Sequence, residues 1–230
     1  MQVGFAFDGD GDRLAAVTHE GKVIASGDLL LALLSEAILK KNPGARIVFD
    51  SKCSQVLSSL IVQWGGKGIM APTGHSFVKE KMRETSALLA GELSCHFMFK
   101  DRYFGCDDAI YALFRMIEIL DETGMNLKDL LERFPKSYTT GEVRIPCEEE
   151  KKEKIVDQVK RFFDQRPGFS LVLSDGVRAT AEYGWGIARA SNTQPVISFS
   201  CESLSLEGFE KIKGEFHEAL DQAYKKVNLL

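Results

Sequence analysis

Residues 46–93 alternate between two hydrophobic periods, and few folds can absorb that pattern. An apolar run at 46–50 is followed by a helix-period segment at 54–64, closed by Gly65-Gly66. A second apolar run at 67–71, a second helical segment at 75–84 and a third apolar run at 88–93 complete the series. Short apolar runs separated by helix-length connections predict a βαβαβ layered domain with a mixed, largely parallel sheet. Upstream, Val3–Phe7 reads as a buried strand, 14–18 and 22–25 as strands joined at Glu20-Gly21, and 29–41 as an amphipathic helix. That helix starts after Ser26-Gly27-Asp28 and stops at Asn42-Pro43-Gly44. Helices over 107–122 and 127–133 close the domain.

The composition shifts near Phe134-Pro135-Lys136. A strand over 140–145, a charged helix over 148–165, three or four short strands within 169–199 and a helix over 205–227 follow. Strands grouped between two helices predict a smaller α+β domain with an antiparallel sheet. The expected fold class is therefore α/β: a three-layer α/β domain followed by this smaller one, with the boundary near residue 136.

Four short segments carry chemistry. The first is Asp8-Gly9-Asp10-Gly11-Asp12-Arg13, directly behind the apolar run Val3–Phe7. Carboxylates this close repel unless a cation lies between them, and a hard divalent ion suits carboxylate oxygens. An EF-hand loop is excluded, because its sixth and twelfth positions would be Arg13 and His19 rather than glycine and glutamate. Three readings remain. One is a haloacid-dehalogenase-type phosphatase with Asp8 as nucleophile, which the acidic pair Asp107-Asp108 would support. Another is a three-aspartate Mg²⁺ site with Arg13 meeting phosphate oxygens. The third is a solvated acidic turn.

The second segment is Gly91-Glu92-Leu93-Ser94-Cys95-His96, after an apolar strand. In extended chain Glu92, Ser94 and His96 would share one face, able to bind hydroxyls and move a proton. The third, Thr73-Gly74-His75-Ser76, opens a helix bearing Lys79 and Lys81 and reads either as an ordinary capping turn or as an anion site. Lys52 lies just past a strand end. The fourth is Arg189-Ala190-Ser191-Asn192-Thr193-Gln194-Pro195, which reads either as a polar β-turn ended by proline or as a phosphate cradle of guanidinium, hydroxyls, amide and loop N–H groups.

The formal charge of −4, with 44% hydrophobic and 27% charged residues, gives no reason to expect nucleic acid or an anionic membrane as partner. Met1-Gln2-Val3-Gly4 has no signal-peptide pattern, and the five scattered cysteines include no Cys-x-x-Cys pair, so a reduced, cytoplasmic protein is expected.

In this order, Asp-Gly-Asp-Gly-Asp-Arg, Thr-Gly-His, Gly-Glu-Leu-Ser-x-His and Arg-Ala-Ser-Asn-Thr-x-Pro resemble the α-D-phosphohexomutases, most closely their bacterial phosphomannomutase/phosphoglucomutase branch. The resemblance runs through essentially the whole chain. It implies that Asp8, Asp10 and Asp12 bind Mg²⁺, that Arg13 flanks the transferred phosphoryl group, and that Glu92 and Ser94 hold sugar hydroxyls. It further implies that His96 lies near the reacting oxygens, that Lys52 and His75 line the same cleft, and that Arg189, Ser191, Asn192 and Thr193 grip the phosphate that stays. Arg13, His96 and Lys52 are the implied catalytic set, and hexose 1- and 6-phosphates the implied substrates. The family's reaction passes a phosphoryl group between an enzyme phosphoserine and the sugar through a bisphosphate.

Two departures stand out. Cys95 occupies a position where the family usually has glycine or alanine. The family's Thr-x-Ser-His-Asn serine loop is absent from the sequence. The expectation is a C-terminal portion: residues 1–19 from the preceding domain with the metal loop, 20–135 a sugar-binding domain and 136–230 a phosphate-binding domain. Such a chain would need the missing N-terminal half as partner, would hold Mg²⁺ weakly and would be inactive alone. Binding of sugar phosphates without chemistry is the further alternative.

Overall fold

The computed structural model describes residues 3–228 and divides into two compact units, Met1–Pro135 and Lys136–Leu230. In the first, β1 (Val3–Phe7), β2 (Leu14–Thr18) and β3 (Val23–Ile24) form an antiparallel meander in the order β1-β2-β3. Then come α1 (Gly27–Lys41), β4 (Arg46–Asp50), α2 (Gln55–Gln63), β5 (Lys67–Ala71), α3 (His75–Thr85), β6 (Leu89–Gly91) and β7 (Phe97–Phe99). Helices α4 (Ala109–Thr123) and α5 (Leu127–Glu132) end the unit. The main sheet runs β5-β4-β6-β7, with β4 parallel to both neighbours and β7 antiparallel to β6.

The period-two side-chain alternation makes this sheet the middle of three layers. Ile47, Phe49, Leu89, Phe97 and Phe99 face one core with residues of α1, α2 and α4. Val48, Ala90 and Met98 face the other, against Val78 and Met82 of α3. Because helices cover both faces, the strands read as continuous apolar runs.

Two expectations are corrected here. β1 is not a buried strand: it is the outer strand of its meander, and Phe7 is 45% exposed. α1 is more than amphipathic, since Leu30 to Ser35 are all buried between α2, α4, α5 and β6.

In the second unit the expected strand over 140–145 is split into β8 (Tyr138–Thr139) and β9 (Val143–Pro146), with Gly141 at φ +65° between them. A 3-10 turn (Glu149–Lys151) leads into α6 (Lys152–Asp164). Strands β10 (Ser170–Val172), β11 (Val177–Ala181), β12 (Gly184–Ala190) and β13 (Val196–Ser203) precede α7 (Leu206–Asn228). The sheet is antiparallel throughout, in the order β10-β11-β12-β13-β8, with β9 also on β13. Helices α6 and α7 pack on it through Val159, Phe163, Ile212 and Phe216.

Candidate active site

In the first unit the aspartate loop, the start of α3 and the β6–β7 turn meet. The Asp8, Asp10 and Asp12 carboxylates each place an oxygen within 4.8 Å of the others. Burial opposes ionisation of Asp8, but the Arg13 amide at 3.2 Å and the Arg13 guanidinium hold its carboxyl below the usual range. Arg13 Nε lies 3.2 Å from Asp8 Oδ2. Asp12 Oδ1 is buried without a hydrogen-bond partner, with Arg13 Nε no nearer than 3.9 Å. Three convergent carboxylates, one of which carries a buried oxygen without a hydrogen-bond partner, are the donor set a hard divalent cation takes.

His96 ties this loop to the sheet. Arg13 and His96 pair as an isolated antiparallel bridge, and Leu14 N–H donates to the Cys95 carbonyl at 3.1 Å. His96 Nε2 lies 3.2 Å from Asp12 Oδ2 and 3.3 Å from Arg13 Nε. His96 Nδ1 lies 3.1 Å from Glu92 Oε2 and 3.1 Å from Ser94 Oγ. Partial burial disfavours the imidazolium, but Glu92 and Asp12 outweigh it, so proton affinity is raised. Either protonation state has partners: the cation faces two carboxylates, and the neutral ring can accept the Arg13 N–H. A group so placed can give or take a proton.

The β6–β7 segment is not extended, as alternation had suggested. Glu92 N–H donates to the His96 carbonyl and Cys95 N–H to the Glu92 carbonyl, closing a tight turn with Cys95 at φ +72°. The turn still gathers Glu92, Ser94 and His96, through hydrogen bonds rather than pleat. Gly27 makes room for it, since a β-carbon there would lie 2.0 Å from the Glu92 carbonyl oxygen.

Glu92 is buried, and its Oε1 accepts the Gly74 N–H at 2.7 Å. One of the amides expected to bind an anion at the start of α3 is thus already bonded to this carboxylate. His75 stacks on His96, with ring centroids 5.6 Å apart, and is itself exposed. Lys52 stands half-buried just beyond β4.

Of two further carboxylates here, Asp50 escaped the sequence reading, and Asp107 entered it only as support for the phosphatase alternative. Asp107 meets His75 Nδ1 at 3.1 Å and Lys79 Nζ at 2.8 Å, and shares a 4.8 Å cluster with Asp12 and His96. Asp50, fully buried, accepts from Leu93 N–H at 3.1 Å, Cys53 Sγ at 2.9 Å and Thr73 Oγ1 at 3.2 Å. It therefore braces the turn and the α3 loop together, and burial pushes its carboxyl pKa up. Its place at the carboxyl end of a parallel strand was the available signal.

The fourth segment belongs to the second unit. Arg189 lies buried on β12, not in the open loop, and its Nε donates to Asp175 Oδ1 at 2.9 Å. Gly176 permits this packing, because a β-carbon there would lie 2.7 Å from the Arg189 backbone. Ser191 Oγ accepts the Thr193 and Gln194 N–H groups at 3.4 and 3.3 Å, shaping a turn with Asn192 and Thr193 exposed at its tip.

Residues 26–138 match "Phosphoglucomutase/phosphomannomutase, alpha/beta/alpha domain III", and residues 142–219 match the C-terminal domain of the same family. This chain belongs to the phosphoglucomutase/phosphomannomutase family. It is 42% identical over 228 residues to the phosphomannomutase/phosphoglucomutase of Pseudomonas syringae pv. tomato, covering 99% of this chain and 48% of that protein. The solved structure of a phosphoglucomutase/phosphomannomutase family protein from Burkholderia thailandensis superposes with TM-score 0.87 at 40% identity, over 97% of this chain and 47% of that one. A more distant N-acetylphosphoglucosamine mutase from Aspergillus fumigatus, solved with GlcNAc-6P and magnesium, shares the fold at TM-score 0.69 and 13% identity, over 94% of this chain and 51% of that one. The chain thus spans about half the length of the curated relatives it matches. The family accounts for the Thr-Gly-His, Glu-Leu-Ser-x-His and Arg-Ala-Ser-Asn-Thr segments, which a dehalogenase-type phosphatase leaves unexplained.

Proposed function

We propose that this chain supplies the metal-binding, sugar-binding and phosphate-binding parts of a phosphomannomutase/phosphoglucomutase, which interconverts hexose 1- and 6-phosphates. The observation that carries this reading is the continuous set of contacts from Asp12 through His96 and Glu92 to Gly74. It links the aspartate loop, the β6–β7 turn and the start of α3. Asp8, Asp10 and Asp12 would hold Mg²⁺, which supplies charge neutralisation for phosphoryl oxygens. Arg13, half exposed beside them, presents guanidinium N–H groups to the same oxygens. His96 holds or moves the proton of the reacting hydroxyl, biased toward the cation by Glu92 and Asp12. Each Glu92 oxygen keeps a second lone pair for a sugar hydroxyl, and Ser94, His75 and Lys52 add donors around it. In the other unit Arg189, Ser191, Asn192 and Thr193 receive the phosphate that is not transferred.

Phosphoryl transfer depends on positioning and charge neutralisation, and these residues supply both. They do not supply the phosphoserine, since no Thr-x-Ser-His-Asn loop occurs in the 230 residues. A coupled mutase assay on this chain with glucose 1,6-bisphosphate added is expected to show no turnover. Sustained turnover that disappears in His96→Gln would contradict the assignment of the donor to a missing half. The five free cysteines suit a reducing compartment, and we assign the protein to the cytoplasm. Among the described residues no helix is long and apolar enough to cross a membrane.

A further inference from the structure

Lys152, the first residue of α6, has a side chain only 8% exposed, an uncommon state for lysine. Its ammonium has three N–H bonds and three acceptors. Nζ lies 2.7 Å from the Ser191 carbonyl, 3.4 Å from the Gln194 carbonyl and 2.6 Å from Glu149 Oε1. Glu149 is largely exposed, so water screens that ion pair, while the two carbonyls are fixed parts of the loop.

The two carbonyls flank the tip Asn192-Thr193. Across a trans peptide the C=O and the following N–H point in opposite directions. Turning the Ser191 carbonyl inward toward Lys152 therefore turns the Asn192 N–H outward. The Gln194 carbonyl turns inward without sending out an amide, because Pro195 follows and has no N–H. The Thr193 and Gln194 amides fold back on Ser191 Oγ. One buried cation thus selects which backbone donor faces out, beside Arg189 on the adjoining strand.

We propose that Lys152 is a positioning residue of the phosphate loop, holding the Ser191 and Gln194 carbonyls inward so that the Asn192 amide is presented to the phosphate of a hexose phosphate. This rests on the reading of Arg189 to Thr193 as a phosphate site. Lys152 itself touches no ligand; it acts through the backbone it holds.

The test is an amide NMR titration of the 230-residue chain with inorganic phosphate and with glucose 1-phosphate. Wild type is expected to show saturable shifts at Asn192 and Thr193, and Arg189→Ala to lose them. Lys152→Met is expected to displace the free-state Asn192 resonance and to weaken binding by about tenfold, the effect of one amide hydrogen bond to a charged group. Lys152→Arg, which keeps cation and donors, is expected to restore binding to within about threefold. A merely structural brace would lower the melting temperature of Lys152→Met without a selective loss of phosphate affinity. If Lys152→Met does not fold, Lys152→Gln takes its place, removing the charge while keeping two donors. Unchanged affinity in the folded charge-removing variant, with Arg189→Ala defective, overturns the role of Lys152 alone. No response at residues 189–194 in wild type overturns the phosphate site, and this inference with it.

Discussion

At the scale of single residues, the site is organised by buried groups that bind other protein groups and orient the exposed ones. Glu92 and His96 are buried, whereas Arg13 and His75 are exposed and available. Cys95, like Ser86 and Arg102, is under conformational demand, since φ +72° is a region that side-chain-bearing residues rarely adopt. Burial also pushes its thiol up to about 11, so it stays protonated and serves as a small filler. Cys95→Val is expected to destabilise by about 1–3 kcal/mol, because a β-branched residue in this left-handed position adds strain. Chemical denaturation measures this, and a stability equal to wild type would show that the turn does not impose that backbone. The sequence made Asp8, Asp10, Asp12, Arg13, Glu92 and His96 legible because charged residues in strict patterns need a reason. Asp50 was not legible as a site residue, and Asp107 was named only for the phosphatase alternative. Their partners lie 43 and 32 positions away, and only the folded chain brings them together.

At the scale of elements, the alternation of residues 46–93 was readable because strand and helix periods differ and glycines punctuate them. The strand expected over 88–93 ends at Gly91, the turn at Glu92–Cys95 was read as extended chain, and β7 was not anticipated. The start of α4 shows how one side chain defines an element. Asp108 caps it by accepting the Tyr111 N–H at 2.9 Å and also accepts the Tyr103 hydroxyl. The Tyr103 hydroxyl leads in holding the Asp108 carboxyl below its ordinary 3.8. A depressed carboxylate contributes stability that is complete above its unfolded pKa and lost as pH falls through the folded value. Asp108→Ala is therefore expected to cost about 1 kcal/mol at neutral pH, with the deficit shrinking below about pH 4. Thermal melts of both proteins from neutral to acid pH check this, and a deficit independent of pH would refute the ionised cap.

At the scale of the molecule, the chain is two compact units, each built on its own core. The candidate site in the first lies where a meander's loop meets the carboxyl ends of a parallel sheet. Nothing in composition alone foretold that meeting; the ordered motifs did, through their resemblance to one family. We propose that Asp8, Asp10 and Asp12 form one divalent-cation centre, with His96 beside it. It is tested most directly by titrating the chain with Mn²⁺, a hard ion that carboxylates bind as they bind Mg²⁺, and following paramagnetic broadening by NMR. Broadening is expected first at the amides of residues 8–13 and at the His96 ring, reversed by excess Mg²⁺ and weakened in Asp10→Asn. Broadening spread evenly over surface carboxylates, or unchanged in Asp10→Asn, would contradict the claim.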